Sequence, residues 1–104
     1  MKIIANRMQV NVGQEAEYKR RHDEIWPELS QLLKEHGIHE YRIFLDEETC
    51  ALFAILMVEN PERLIDLPSN PIMQKWWEYM KDIMPSNSDF SPVSTELKEV
   101  FYLP

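Results

Sequence analysis

The segment Ala51-Leu52-Phe53-Ala54-Ile55-Leu56-Met57-Val58 is apolar at odd and even positions alike. Successive side chains of a strand point to opposite faces, so a strand of this composition has to be covered on both sides. That requirement narrows the folds open to a chain of 104 residues, which is most simply one domain over residues 1–104. The acidic turn Asp46-Glu47-Glu48-Thr49 precedes the segment, and residues 38–46 before it mix β-branched and aromatic residues with charged ones, so the two runs read as a hairpin.

Around this hairpin the remaining elements take a definite order. Residues 2–11 read as a strand ending at Asn11 to Gly13. From Gln14 the pattern becomes helical, with Tyr18, His22, Ile25, Leu29, Leu32 or Leu33, and His36 on one stripe that Gly37 ends. Pro27 cannot donate a backbone hydrogen bond and disfavours helical geometry at Trp26, which predicts a kink or restart there. A short helix over 61–67 is expected, then a second main helix after Pro71 carrying Ile72, Met73, Trp76, Trp77, Met80, Ile83 and Met84. The turn-forming run 85–92 leads to a last strand over 94–103. Strand, helix, two strands, helix, strand is the α+β, ferredoxin-like βαββαβ order, an antiparallel sheet with helices on one face. Two helices cover only one face, so the other face of the apolar strand calls for a second copy of the chain, and a symmetric dimer is expected.

Charge excludes one class of partner. Lys and Arg total 11 against 18 Asp and Glu, a net charge of −7, so there is no basic patch for a phosphate backbone and no nucleic-acid partner is expected. The run Lys19-Arg20-Arg21 reads as a solvated helix face. No apolar stretch approaches membrane-spanning length, and Met1 to Gln9 lacks the apolar run of a signal peptide. The single cysteine, Cys50, has no internal partner and reads as an inert core thiol in a reducing compartment, so a cytoplasmic setting is expected. His22, His36 and His39 do not have metal-ligand spacing, and no metal site is expected; His36 and His39 flank Gly37 and read as capping or surface residues.

Chemistry concentrates at Tyr18 and His22, four residues apart and therefore on one helix face, just before the proline break. Imidazole takes and gives protons near neutrality. In a last helical turn, with Asp23 and Glu24 beside it, His22 is expected to be biased toward its protonated form. Trp76 and Trp77 point about a hundred degrees apart on a helix, so if one is core the other reaches a pocket, where an indole face stacks on the C–H face of a sugar and a phenol or indole donates to its hydroxyls. Tyr41 is either such a donor or a core tyrosine with its hydroxyl at the sheet edge.

Taken together, Tyr18, Arg21-His22, Ile25-Trp26-Pro27, Tyr41, Lys75-Trp76-Trp77 with Tyr79-Met80, Ser91-Pro92 and Val100-Phe101 resemble the L-rhamnose mutarotase family over nearly the whole chain. The resemblance implies a small cytoplasmic homodimer of the dimeric α+β barrel kind that interconverts the α and β anomers of L-rhamnose without a cofactor. It implies His22 as proton donor and Tyr18, Tyr41, Trp76 and Trp77 as the residues contacting the sugar. The partner base is left open among a carboxylate, a tyrosine and water. Two other readings stand beside it: a cofactor-free or haem-binding oxygenase of the same barrel fold, and a non-catalytic sugar-binding dimer.

Overall fold

The computed structural model describes residues 1–104. Its strands are β1 (Lys2–Gln9), β2 (Ile38–Asp46), β3 (Ala51–Val58) and β4 (Thr95–Leu97), and its helices are α1 (Glu15–Asp23), α2 (Pro27–Glu35) and α3 (Pro71–Met80). The sheet is antiparallel with order β2-β3-β1-β4, so the α+β ferredoxin-like order read from the sequence is the order observed. No helix is long and apolar enough to cross a membrane.

The long helical stripe is two helices. Trp26, directly before Pro27, is extended (φ −61°, ψ 132°) and Pro27 opens α2 at its first turn, where a missing N–H costs nothing. The proline therefore restarts the helix rather than kinking it. Asn70 caps α3 by accepting from the Ile72 N–H at 2.9 Å, with Pro71 at the first turn. Three expectations need correcting. The 61–67 helix is a pair of short 3₁₀ turns, Pro61–Leu64 and Leu67–Ser69. The second main helix ends at Met80, although Ile83 and Met84 are still buried. The last strand is only Thr95–Leu97, paired with Ala5 to Arg7; residues 98–103 are outside any strand, although β1 itself continues through Ile4, Ile3 and Lys2.

Strand β3 shows why the sheet has two unequal faces. Leu52, Ala54, Leu56 and Val58 are buried under the helices, with Met8 opposite Leu52 and Tyr41, Ile43 and Leu45 opposite Leu56, Ala54 and Leu52. Phe53, Ile55 and Met57 point the other way and are half-buried; beside them Phe44 is 56% and Ile3 58% exposed. Core residues Leu29, Met73, Trp76 and Met80 complete the helix side.

Both glycines are left-handed, and Gly37 is crowded as well. Gly37 turns the chain from α2 into β2 at φ +85°, and a Cβ there would lie 3.2 Å from the Arg63 guanidinium and 3.4 Å from the Glu59 side chain. Both the left-handed backbone and the crowding oppose a side chain. Gly37→Ala is expected to lower unfolding free energy by about 1 kcal/mol or more in a denaturant titration.

Candidate active site

Between the helix side of the sheet and α1, α2 and α3 lies a cavity of ≈ 840 Å³, and all five residues singled out in the sequence line it: Tyr18, His22, Tyr41, Trp76 and Trp77. Helix α1 brings Tyr18 and His22 to it with their rings stacked at 4.3 Å. Helix α3 sets Trp76 edge-on to the imidazole at 5.3 Å, and β2 supplies Tyr41. Trp77 and Tyr41 also border an adjoining recess of ≈ 410 Å³ whose wall includes Asn6, Asn87 and Ser91. The space thus has a largely apolar floor and a margin of amides and hydroxyls, the lining that fixes a small polar ligand in orientation.

The imidazole of His22 is held at one nitrogen. Its Nδ1 lies 3.0 Å from the carbonyl oxygen of Tyr18, one turn back. Burial lowers the pKa of His22 from the ordinary imidazole value; the Tyr18 carbonyl and the Asp23 charge oppose the shift but are outweighed. This corrects the expectation of a ring biased toward protonation, because burial of the imidazole outweighs the backbone carbonyl and the neighbouring Asp23 carboxylate. Burial also raises the Tyr18 phenol well above its usual range, with Tyr41 adding to the shift. Tyr41 is raised by desolvation too, although the residue as a whole is 43% exposed.

Trp76 is only 5% exposed. Its indole meets Trp26 edge-on at 5.1 Å and Tyr79 at 5.7 Å, while Trp26 and Tyr79 stack at 5.7 Å. Trp77, next in the chain, is half-buried. The two tryptophans therefore divide as their spacing predicts, one in the core wall and one at the cavity margin. The contact of Trp26 with α3 is not visible in the helical stripe; its signal is the extended geometry at Trp26 before Pro27, which turns the indole toward Trp76 and Tyr79.

Arg21 departs furthest from expectation. It is 9% exposed, whereas Lys19 and Arg20 lie on the solvated face. Its guanidinium donates to both Asp82 carboxylate oxygens (2.9 and 3.2 Å), to the Tyr79 carbonyl (2.7 Å) and to Glu17 (2.7 Å), and it covers the Tyr79 ring at 4.4 Å. A flexible ammonium could not make this fork and stacking contact at once. Arg21 thereby ties α1 to the end of α3, the two elements that carry His22 and Trp76.

His36 closes α2 with its backbone and ring nitrogens on Leu32 and Leu33 carbonyls, and His39 is paired through Nε2 with Glu59 at 2.7 Å, as their capping and surface reading required. No three His, Cys, Asp or Glu side chains converge so as to hold a metal ion.

The model of the L-rhamnose mutarotase family matches residues 3–103. The chain belongs to that family. An L-rhamnose mutarotase of Brucella anthropi is 55% identical over 100 residues, covering 96% of this chain and 94% of that protein. A crystal structure of an L-rhamnose mutarotase from Formosa agariphila superposes with a TM-score of 0.93 at 51% identity, covering all of both chains. Tetracenomycin F2 cyclase from Streptomyces glaucescens shares the fold at 16% identity and a TM-score of 0.63, again over all of both chains, which is a likeness of architecture alone. As a mutarotase the chain is an isomerase acting at the anomeric carbon of L-rhamnose, and the oxygenase reading keeps only the shared fold in its support.

Proposed function

We propose that in rhamnose mutarotation His22 transfers the proton and Tyr18, Tyr41, Trp76 and Trp77 hold the sugar. The observation that carries this reading is the placement of His22: its ring lines the cavity, is clamped by the Tyr18 ring and the Trp76 edge, and is held at Nδ1 by a backbone carbonyl. Ring opening of a hemiacetal removes the anomeric hydroxyl proton and protonates the ring oxygen, and closure on the other face of the aldehyde gives the second anomer. The apolar floor suits the C–H face of a pyranose and its methyl group; the two phenols, kept protonated, donate to hydroxyls. Saturation-transfer NMR of L-rhamnose at neutral pH, with glucose and galactose as controls, tests the reading. Acceleration confined to rhamnose is expected, and a protein that binds rhamnose without accelerating exchange would leave only the non-catalytic reading.

The same reading includes a homodimer. The uncovered face of the sheet carries Ile3, Phe44, Phe53, Ile55 and Met57, a contiguous apolar surface on a small chain of net charge −7, and a second copy packed sheet to sheet removes it from water. Phe44→Glu is expected to convert the light-scattering mass at micromolar concentration from dimer to monomer, and an unaltered dimer would place the contact elsewhere. The cytoplasmic assignment belongs to the proposal as well: Cys50 is free, buried, and donates its S–H to Glu15 at 2.9 Å, a thiol suited to a reducing compartment.

A further inference from the structure

Mutarotation needs a base at the anomeric hydroxyl and an acid at the ring oxygen, and the geometry at His22 bears on where both come from. A carbonyl oxygen only accepts hydrogen bonds. The partner of the Tyr18 carbonyl must therefore be an Nδ1–H, and in a neutral ring that leaves Nε2 with a bare lone pair. Nε2 has no hydrogen-bond partner within the chain, and no buried side-chain nitrogen or oxygen is left unpaired, so this lone pair opens to the cavity that His22 lines.

Each other group around the cavity that could act as a base is paired with another side chain or held in its protonated form. The charged or titratable side chains lining it, besides Tyr18 and His22, are Glu15, Lys19 and Asp23 from α1, Lys34 from α2 and His39 and Tyr41 from β2, while α3 faces it with the uncharged Trp76 and Trp77. Glu15 accepts from the Gly13 N–H and the Cys50 S–H, each at 2.9 Å. Asp23 is paired with Lys19 at 2.8 Å. His39 is committed to Glu59 through Nε2, and the lysine ammonium groups have no lone pair to offer. The two phenols sit in desolvated surroundings that oppose a phenolate.

We infer that His22 Nε2 is both the base and the acid: it takes the proton from the anomeric hydroxyl and returns the same proton to the ring oxygen. Both oxygens are bonded to the anomeric carbon, so a single nitrogen in front of that carbon reaches each without moving its backbone. In the opening step the O–H proton passes to Nε2, the O–H electron pair becomes the second bond of the aldehyde, and the bond from the anomeric carbon to the ring oxygen breaks with its pair on that oxygen. The imidazolium so formed gives its Nε2 proton to the ring oxygen and is neutral again. Rotation about the bond between the anomeric carbon and its neighbour presents the other face of the aldehyde, and the same transfers in reverse close the ring. Nothing is consumed. The Tyr18 carbonyl steadies the imidazolium between the two transfers, the role a hydrogen-bond acceptor on the far nitrogen plays in other histidine-based proton transfers.

This inference rests on the reading of His22 as the proton-transferring residue, and two measurements separate the two. Nitrogen-15 NMR of the ring-labelled protein at pH 7 is expected to show His22 neutral, with the proton on Nδ1 and an unprotonated Nε2. Tyr18→Phe and Tyr41→Phe are expected to raise KM while kcat stays within about tenfold, the size of a lost hydrogen bond. A His22 that is cationic at pH 7 or protonated at Nε2 overturns the shuttle, and so does a kcat loss in either phenylalanine variant as deep as that of His22→Gln. Full activity in His22→Gln would instead overturn the assignment of His22 itself, whatever the ring nitrogens show.

Discussion

His22→Ala is expected to lower the rate of rhamnose anomer exchange by about 10²- to 10⁴-fold with little change in rhamnose affinity, the amount a well-placed proton carrier contributes. The loss falls on kcat because the imidazole lies against the cavity through its open nitrogen, while the surfaces proposed to hold the sugar come from other side chains. Exchange rates from saturation-transfer NMR over a range of rhamnose concentrations separate the two parameters, and a variant whose KM alone rises would reassign His22 to binding. Acid has a related effect on the intact protein. The folded ring has a lowered pKa, so the unfolded chain, titrating near about 6.5, takes up the proton first as pH falls. The neutral ring's contribution to stability is therefore present above that range and is lost as pH drops through it, and activity that depends on a free Nε2 lone pair declines in the same direction.

Trp76→Ala and Trp77→Ala are expected to fail in different ways despite being neighbours. Trp76 is in the core cluster and in ring contact with His22, Trp26 and Tyr79, so its truncation opens a cavity at the centre of an aromatic cluster and costs about 3–5 kcal/mol. Against a total stability of about 5–15 kcal/mol that is a severe loss, visible as a large fall in the denaturant midpoint. Trp77 is half-buried at the boundary of the main cavity and the recess lined by Asn6 and Asn87. Its removal is expected to raise KM by about tenfold, the scale of one aromatic contact, with a much smaller change in the midpoint. Equal destabilisation by the two substitutions would mean that Trp77 is a core residue as well.

The unbroken apolar run of Ala51 to Val58 made the sheet legible, since a strand apolar on both faces calls for two covers and the turn residues on either side mark its ends. Tyr18 and His22 were legible as a pair because four residues on a helix determine their relation before anything else folds. What escaped depended on contacts distant in sequence. Arg21 reads as solvent-facing by its neighbours Lys19 and Arg20, and only the approach of Asp82 and the Tyr79 carbonyl, about sixty residues away, gives its fork enough partners to be buried. The protonation bias of His22 escapes the sequence for a similar reason: helix position and adjacent carboxylates are visible there, whereas the burial that lowers its pKa is not. The last strand was over-extended because Val100, Phe101, Tyr102 and Leu103 have strand-like composition, yet all four lie exposed beyond the short pairing of β4 with β1. Composition records what a segment can do in a sheet and not how far the chain stays alongside its neighbour.

The restart at Pro27 bears on how such a chain can diverge. Residues 24–26 are outside both helices, so α1, which presents the imidazole, and α2, which fills the core through Leu29 and Leu32, are not one rigid rod. Substitutions that change the volume beneath α2 can be absorbed by a tilt of that helix without turning the imidazole away from the cavity. An unbroken helix would convert every such adjustment into a rotation of the imidazole proposed to carry the proton. Sequence drift in the core and constancy of the chemistry are thereby compatible within one short polypeptide, and the proline is the residue that keeps them separate.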